Sequence, residues 1–225
     1  MAERLARWVW FGTAVLAGVA GMVNVVGFLG FQHQAITHLT GNTSLLAAAV
    51  VAGDRRAGLA LAGSMLAFVA GAVLGGLVIQ DSTLRLGRRY GVALMLEALL
   101  LAAAVPLFER HLLGGTLCAA VAIGLQNAMV TTYSGAIVRT SHVSGMFTDL
   151  GIMLGHTLRG MPIARRRLGL CLVVISCFFA GGLAGAGLFE ALAYRALYVT
   201  ALLTGAAGLA YVAYRQWHGT QRVAA

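Results

Sequence analysis

Charge is what this chain most lacks. Only 10% of its 225 residues are Asp, Glu, Lys or Arg, against roughly 25% in a soluble domain. That is too little to cover a water-facing surface, which excludes a soluble globular fold. Lysine is absent, so all sixteen basic side chains are arginine; with seven acids the net charge is +9. In a soluble protein such an excess would point to nucleic acid. Here the arginines lie mostly between apolar runs, where positive charge sets orientation and meets anionic headgroups, and no nucleic-acid partner is expected. Cysteine is scarce: Cys118, Cys171 and Cys177 sit inside apolar runs without disulfide or metal spacing and read as small core residues. No nucleophile–base pattern, Walker loop or dinucleotide fingerprint occurs, so neither enzyme activity nor a cofactor is expected. Apolar residues run continuously instead of alternating, which argues against a membrane β-barrel.

What the chain has is hydrophobic residues, 60% of the total. Long apolar runs cover about 8–31, 57–79, 90–108, 112–133, 168–188 and 198–214, several of them near the roughly 20 residues that cross a bilayer as a helix. Two shorter runs follow polar breaks, at 43–53 and up to Leu158. The expected fold is an all-α polytopic transmembrane bundle, a single membrane domain over 1–225. Met1–Arg7 ahead of the first run imitates a signal peptide, but that run is too long for one and reads as a retained span. Trp8 and Trp10 at its start suit the interface.

The chain also repeats itself. Thr37-His38-Leu39-Thr40-Gly41 returns as Ser141-His142-Val143-Ser144-Gly145. Asn24 precedes the first copy, and Asn127, after Gln126, precedes the second. Downstream, Gly71-x-x-x-Gly75 is echoed by Gly181-x-x-x-Gly185. Three matching stations in one order imply two homologous halves, about 8–108 and 112–214, each reading long, short, long, long. Either the short elements dip in and return, giving six long spans in inverted halves, or each completes a broken span, giving eight in parallel halves. Both place the termini on the cytoplasmic side by the positive-inside tendency. Six long spans plus two short elements is preferred, because Arg139 would sit poorly inside a broken span.

The polar stations are the candidate site. A helix broken at Thr40-Gly41-Asn42 frees backbone groups that must be satisfied in protein or at a cavity. Paired breaks in two halves are the best sequence pointer to a transporter site, and a helix starting there aims N–H groups at an anion or carboxylate. The plainer reading is that hydroxyls and glycines cap and pack helices. Asn24, His38, Thr40, Gly41, Asn42, Gln126, Asn127, His142, Ser144, Gly145 and Asp149 form the expected substrate-binding set, with Asn24, Thr40, Asn127 and Ser144 expected to converge near mid-membrane. His142, Asp149 and His156 recur every seven residues on one helical stripe, either as a proton relay or as two wet histidines around one buried acid. The first half has Leu45 in place of Asp149. Glu97, mid-run, is a second carrier or pairs inside the bundle. Two distant histidines are a weak metal signal, and no metal is expected. The two Gly-x-x-x-Gly seams are expected to be helix contacts.

These residues resemble the DUF1275 family of small bacterial membrane proteins, also called the YoaK family. The resemblance runs through Gly21-Met22-Val23-Asn24-Val25-Val26-Gly27-Phe28, Thr40-Gly41-Asn42, Gly124-Leu125-Gln126-Asn127-Ala128 and His142 to Gly151, and covers nearly the whole chain. Many relatives carry Asp where this chain has Asn24, a departure that removes an intramembrane charge. The resemblance implies a bacterial inner-membrane protein with several spans, and carries no substrate or mechanism with it. Two functions follow from the residues: a small-solute transporter or channel, or a non-transporting scaffold, sensor or complex subunit. Partners are the lipid bilayer and an unidentified small solute, with a homo-oligomer left open.

Overall fold

The structure, a computed structural model, describes residues 7–30, 36–79, 89–134 and 140–221. Apart from short turns and connections, the described residues are helical: α1 (Arg7–Leu29), α2 (Leu39–Val51), α3 (Arg55–Val78), α4 (Arg89–Glu109), α5 (Leu113–Ser134), α6 (Val143–Leu158), α7 (Arg165–Leu192) and α8 (Ala196–Gln221). A single 3₁₀ turn, Ala193–Arg195, joins α7 to α8. Five helical segments are long and apolar enough to cross a membrane, and the last of them, Arg165–Tyr214, is broken at that turn. Trp8's side chain, Gln32–Gln34, most of the arginine-bearing 81–89 rim, and Arg139 lie outside the described residues or side chains.

Close glycine contacts fix how the helices run. Along α1 and α7 the neighbours rise together: Trp10 against Gly169, Gly18 against Gly181, Met22 and Val25 against Gly185. The two helices are parallel. The same holds for α3 and α5, with Gly63 by Leu117, Gly71 by Val121 and Gly75 by Leu125 and Ala128. By contrast α4 is antiparallel to α5, where Phe108 meets Gly115 and the Tyr90 hydroxyl donates to the Met129 carbonyl. It is also antiparallel to α8, where Gly91 meets Val212, Leu94 meets Gly208 and Ala98 meets Gly205. The ends of α1, α4 and α7 come together: Tyr194 packs against Gly30 and stacks on Phe108, and Arg195 is ion-paired to Glu109 at 2.8 Å. So α1, α4 and α7 run toward this Arg195 end, and α3, α5 and α8 run back.

That alternation decides what α2 and α6 do. α1 finishes at the Arg195 end and α3 starts there, so the chain between them must leave and return on one side. α2 is antiparallel to α3, with Leu46 beside Gly58, and the reversal is made at Gly53, whose φ of +70° is open to glycine. Asp54 then caps α3 by accepting from the Ala57 N–H at 3.0 Å. At the opposite end α6 folds back on α7 through Gly160, φ +72°, with Asp149 reaching Arg167 across the hairpin.

The seam glycines act by close approach. A methyl group on Gly71 would collide with the Val121 carbonyl, on Gly124 with that of Phe68, on Gly21 with that of Phe178 and on Gly181 with that of Gly18. Both Gly-x-x-x-Gly seams are therefore helix contacts, as small residues permit. The outer faces of α3, α7 and α8 present Leu66, Val69, Leu77, Phe179, Leu183 and Leu202, an apolar perimeter suited to hydrocarbon.

Candidate functional site

The two polar breaks are built alike, each on one asparagine. Asn24, on α1, accepts at Oδ1 from the Thr37 N–H at 3.2 Å and from the Thr37 hydroxyl at 2.7 Å. Thr37 is buried. Asn24 lies five residues before the end of α1, so α2 begins about 7 Å inside that end. Asn127, on α5, accepts at Oδ1 from the Ser141 hydroxyl at 2.9 Å, and its own Nδ2 donates to the Ile123 carbonyl. It lies seven residues before the end of α5, so α6 begins about 10 Å inside the opposite face. In each case an amide oxygen draws the returning chain into the bundle, where loose backbone would otherwise go unsatisfied.

The two anchors do not meet. Gln126 donates from Nε2 to the Leu16 carbonyl of α1 at 2.7 Å and to the Thr140 hydroxyl at 3.0 Å, which puts Leu16 and Gln126 on one level. Asn24 lies eight residues from Leu16 toward the Arg195 end, roughly 12 Å away along the axis, while Asn127 is next to Gln126. The convergence expected of Asn24, Thr40, Asn127 and Ser144 is thus replaced by two separate stations facing opposite ends. His38 and His142 stand exposed at the N-termini of α2 and α6, without side-chain caps. Thr40 and Ser144 are exposed; their carbonyls accept from the hydroxyls of Ser44 and Thr148. Gly41 faces open space, whereas Gly145 carries the His142 ring. Asn42 is buried.

The His142–Asp149–His156 stripe resolves differently from a relay. Both carboxylate oxygens of Asp149 are held by Arg167, Nη2 to Oδ1 at 2.7 Å and Nε to Oδ2 at 3.2 Å. Neither histidine is bonded to Asp149 among the described residues, and both are exposed. Asp149, His156, Met153, Pro162 and Arg167 instead line an open pocket of about 120 Å³ at the α6–α7 hairpin. Among the described residues no cluster of three His, Cys, Asp or Glu side chains is placed to hold a metal.

The centre of the bundle carries a polar level that the repeat did not reveal. Glu97 on α4, Gln126 on α5 and Thr204 on α8 are all 0% exposed. The α4–α5 pairing sets residue 97 opposite 122–126, and the α4–α8 pairing sets it opposite 205–206, next to Thr204. This level divides two hydrophobic clusters: Tyr90, Leu94, Leu125 and Met129 on one side, Leu101, Val105, Ile123 and Leu197 on the other. Among the described residues, both carboxyl oxygens of Glu97, Oε1 of Gln126 and the Thr204 hydroxyl have no hydrogen-bond partner. Thr37 and Ser141 were legible only as parts of the repeated stretch, Thr140 only as the end of a polar patch, and Thr204 carried no signal.

An all-helical bundle with five apolar segments of crossing length, an apolar perimeter and polar groups turned inward defines a helical membrane protein. The DUF1275 family, described as a protein of unknown function, matches residues 12–210, and the chain belongs to that family. No curated protein and no solved structure matches it.

Proposed function

We propose that this is an integral membrane transporter or channel for a small solute, made of two inverted homologous halves with six long spans and two re-entrant helices. The observation that carries the reading is the pair of helices that start inside the bundle, one from each end, each tethered to an asparagine. Discontinuous helices at equivalent places in two halves mark transporter sites. The first-turn N–H groups of α2 and α6, at the positive ends of their dipoles, favour an anionic or carboxylate-bearing solute. The swapped packing of α1 on α7 and of α3 on α5 fits halves related by a two-fold axis in the membrane plane. By the positive-inside tendency the arginine-rich Arg167 end is cytoplasmic, with both termini, and the membrane is the bacterial inner one.

A second reading, a non-transporting scaffold or complex subunit, is favoured by the way each asparagine is satisfied within its own half. The two part in a thermal-shift screen of the purified protein against small carboxylates and other metabolites. A ligand at a hundred times its Kd stabilises by about 2.7 kcal/mol. A hit lost on replacing the α2 or α6 N-terminal residues supports transport. A screen with no stabilising solute, together with no solute flux in proteoliposomes, overturns it.

A further inference from the structure

Glu97 stands apart from every other acid in the described chain. Asp149 and Glu109 are ion-paired near the ends, Asp54 caps a helix, and Glu190 is exposed on α7. Glu97 is wholly enclosed, and neither of its oxygens has a partner among the described residues. Its direction follows from Tyr90: the two are seven residues apart, hence nearly on one helical stripe, and Tyr90 reaches the α5 backbone. Glu97 therefore faces α5 on the level where Gln126 lies. The amide of Gln126 is already oriented, since Nε2 holds both the Leu16 carbonyl and the Thr140 hydroxyl. Its Oε1 is left as an acceptor without a donor.

Among the described side chains no basic group is available to balance a carboxylate here. On the elements packed against α4, the titratable groups among the described side chains are Cys118 of α5, Tyr194 and Arg195 of the 3₁₀ turn, Tyr198, Tyr211 and Tyr214 of α8, and Arg55 and Arg56 of α3; α4 itself adds Tyr90, Arg89 and Glu109. By register each stands at least six residues from the Glu97 level, about 9 Å along the axes. An uncompensated charge in such surroundings is costly. A proton removes the charge and turns one oxygen into a donor that an acceptor such as Gln126 Oε1 can use.

We infer that Glu97 is a proton-binding site at the centre of the bundle, facing Gln126 and through it the Thr140–Ser141 end of the α6 re-entrant segment. A proton that comes and goes at Glu97 would change what Gln126 Oε1 can accept, and Gln126 holds both α1 and the segment at Thr140. The site's existence stands on the geometry alone; its use in driving a solute rests on the transport reading.

The test needs no solute. Dicyclohexylcarbodiimide adds to a protonated carboxyl in apolar surroundings: the acid's proton passes to a carbodiimide nitrogen, the carboxyl oxygen bonds to the central carbon, and nothing leaves. Rearrangement to the acylurea fixes the whole reagent on the side chain. The full-length protein in detergent is labelled across a pH series and the adduct is located by mass spectrometry. The expected adduct is on Glu97, its yield falling at least about tenfold from acid to alkaline buffer as the proton is lost, and it is retained in Asp149→Asn. Infrared spectroscopy should show a protonated-carboxyl band that Glu97→Gln removes while its melting temperature shows the fold intact; if that variant does not fold, the wild-type adduct and its pH profile decide alone. No adduct at Glu97, or a pH-independent one marking a permanently neutral structural acid, overturns the inference, as does protection by Na⁺ at constant pH, which assigns the site to a metal cation. Labelling without solute flux would sink only the transport reading; flux without labelling would sink only this one.

Discussion

At the residue scale the chain works through a few polar atoms held in apolar surroundings. Asn24 Oδ1 accepts two hydrogen bonds from Thr37, one of them from backbone. Asn24→Leu leaves a buried N–H and hydroxyl unsatisfied and is expected to cost about 1–3 kcal/mol, seen as a lower melting temperature in detergent. Asn24→Asp keeps the acceptor and should lose much less than the leucine variant. If the two variants melt alike, the hydrogen bonds do not hold the loop. Asp149 makes the opposite prediction. Its partner Arg167 is 62% exposed, and such ion pairs contribute about 0–1 kcal/mol. Asp149→Asn should therefore leave the melting temperature almost unchanged, and a large drop would show that the pair carries more of the hairpin than exposure allows. The sequence singled out Asp149 for its place after the repeated stretch, but spacing could not show that an arginine eighteen residues on would occupy both its oxygens. Glu97 was visible as an acid in an apolar run. Its lack of a partner among the described residues is a property of three helices at once, and no single segment displays it.

At the element scale much was legible. Long apolar runs became α1, α3, α4, α5, α7 and α8, because hydrocarbon leaves a backbone few other ways to satisfy itself. The Gly71/Gly75 and Gly181/Gly185 seams were readable from spacing alone, though not that they would pack across to α5 and α1. Partner choice depends on which backbones can approach, and that is settled only in three dimensions. The seams also supply an internal control. Gly76 and Gly187 face open space, whereas Gly71 and Gly181 meet backbone carbonyls. Leucine at Gly71 or Gly181 should destabilise by about 1–3 kcal/mol or more, while leucine at Gly76 or Gly187 should be tolerated. Equal melting temperatures for all four variants would contradict the helix contacts described above.

At the scale of the whole molecule, the account stands on direction. The repeated stretch predicted equivalent breaks, and the structure places each at the start of a short helix. Similarity alone left open which way each break faces, because it is blind to the sign of a helix axis; only the placing of Arg139 favoured inverted halves, in which the breaks open toward opposite ends. If the short helices re-enter, Arg56, at the start of α3, and Arg159, at the end of α6, lie on opposite sides of the membrane. If each short helix completes a span instead, both lie on the same side. Single cysteines at these two positions, in a chain freed of Cys118, Cys171 and Cys177, can be probed in intact cells with a membrane-impermeant thiol reagent, before and after permeabilisation. The account predicts that Arg56→Cys is labelled from outside and Arg159→Cys only once the membrane is opened. Labelling of both from the same side would contradict it.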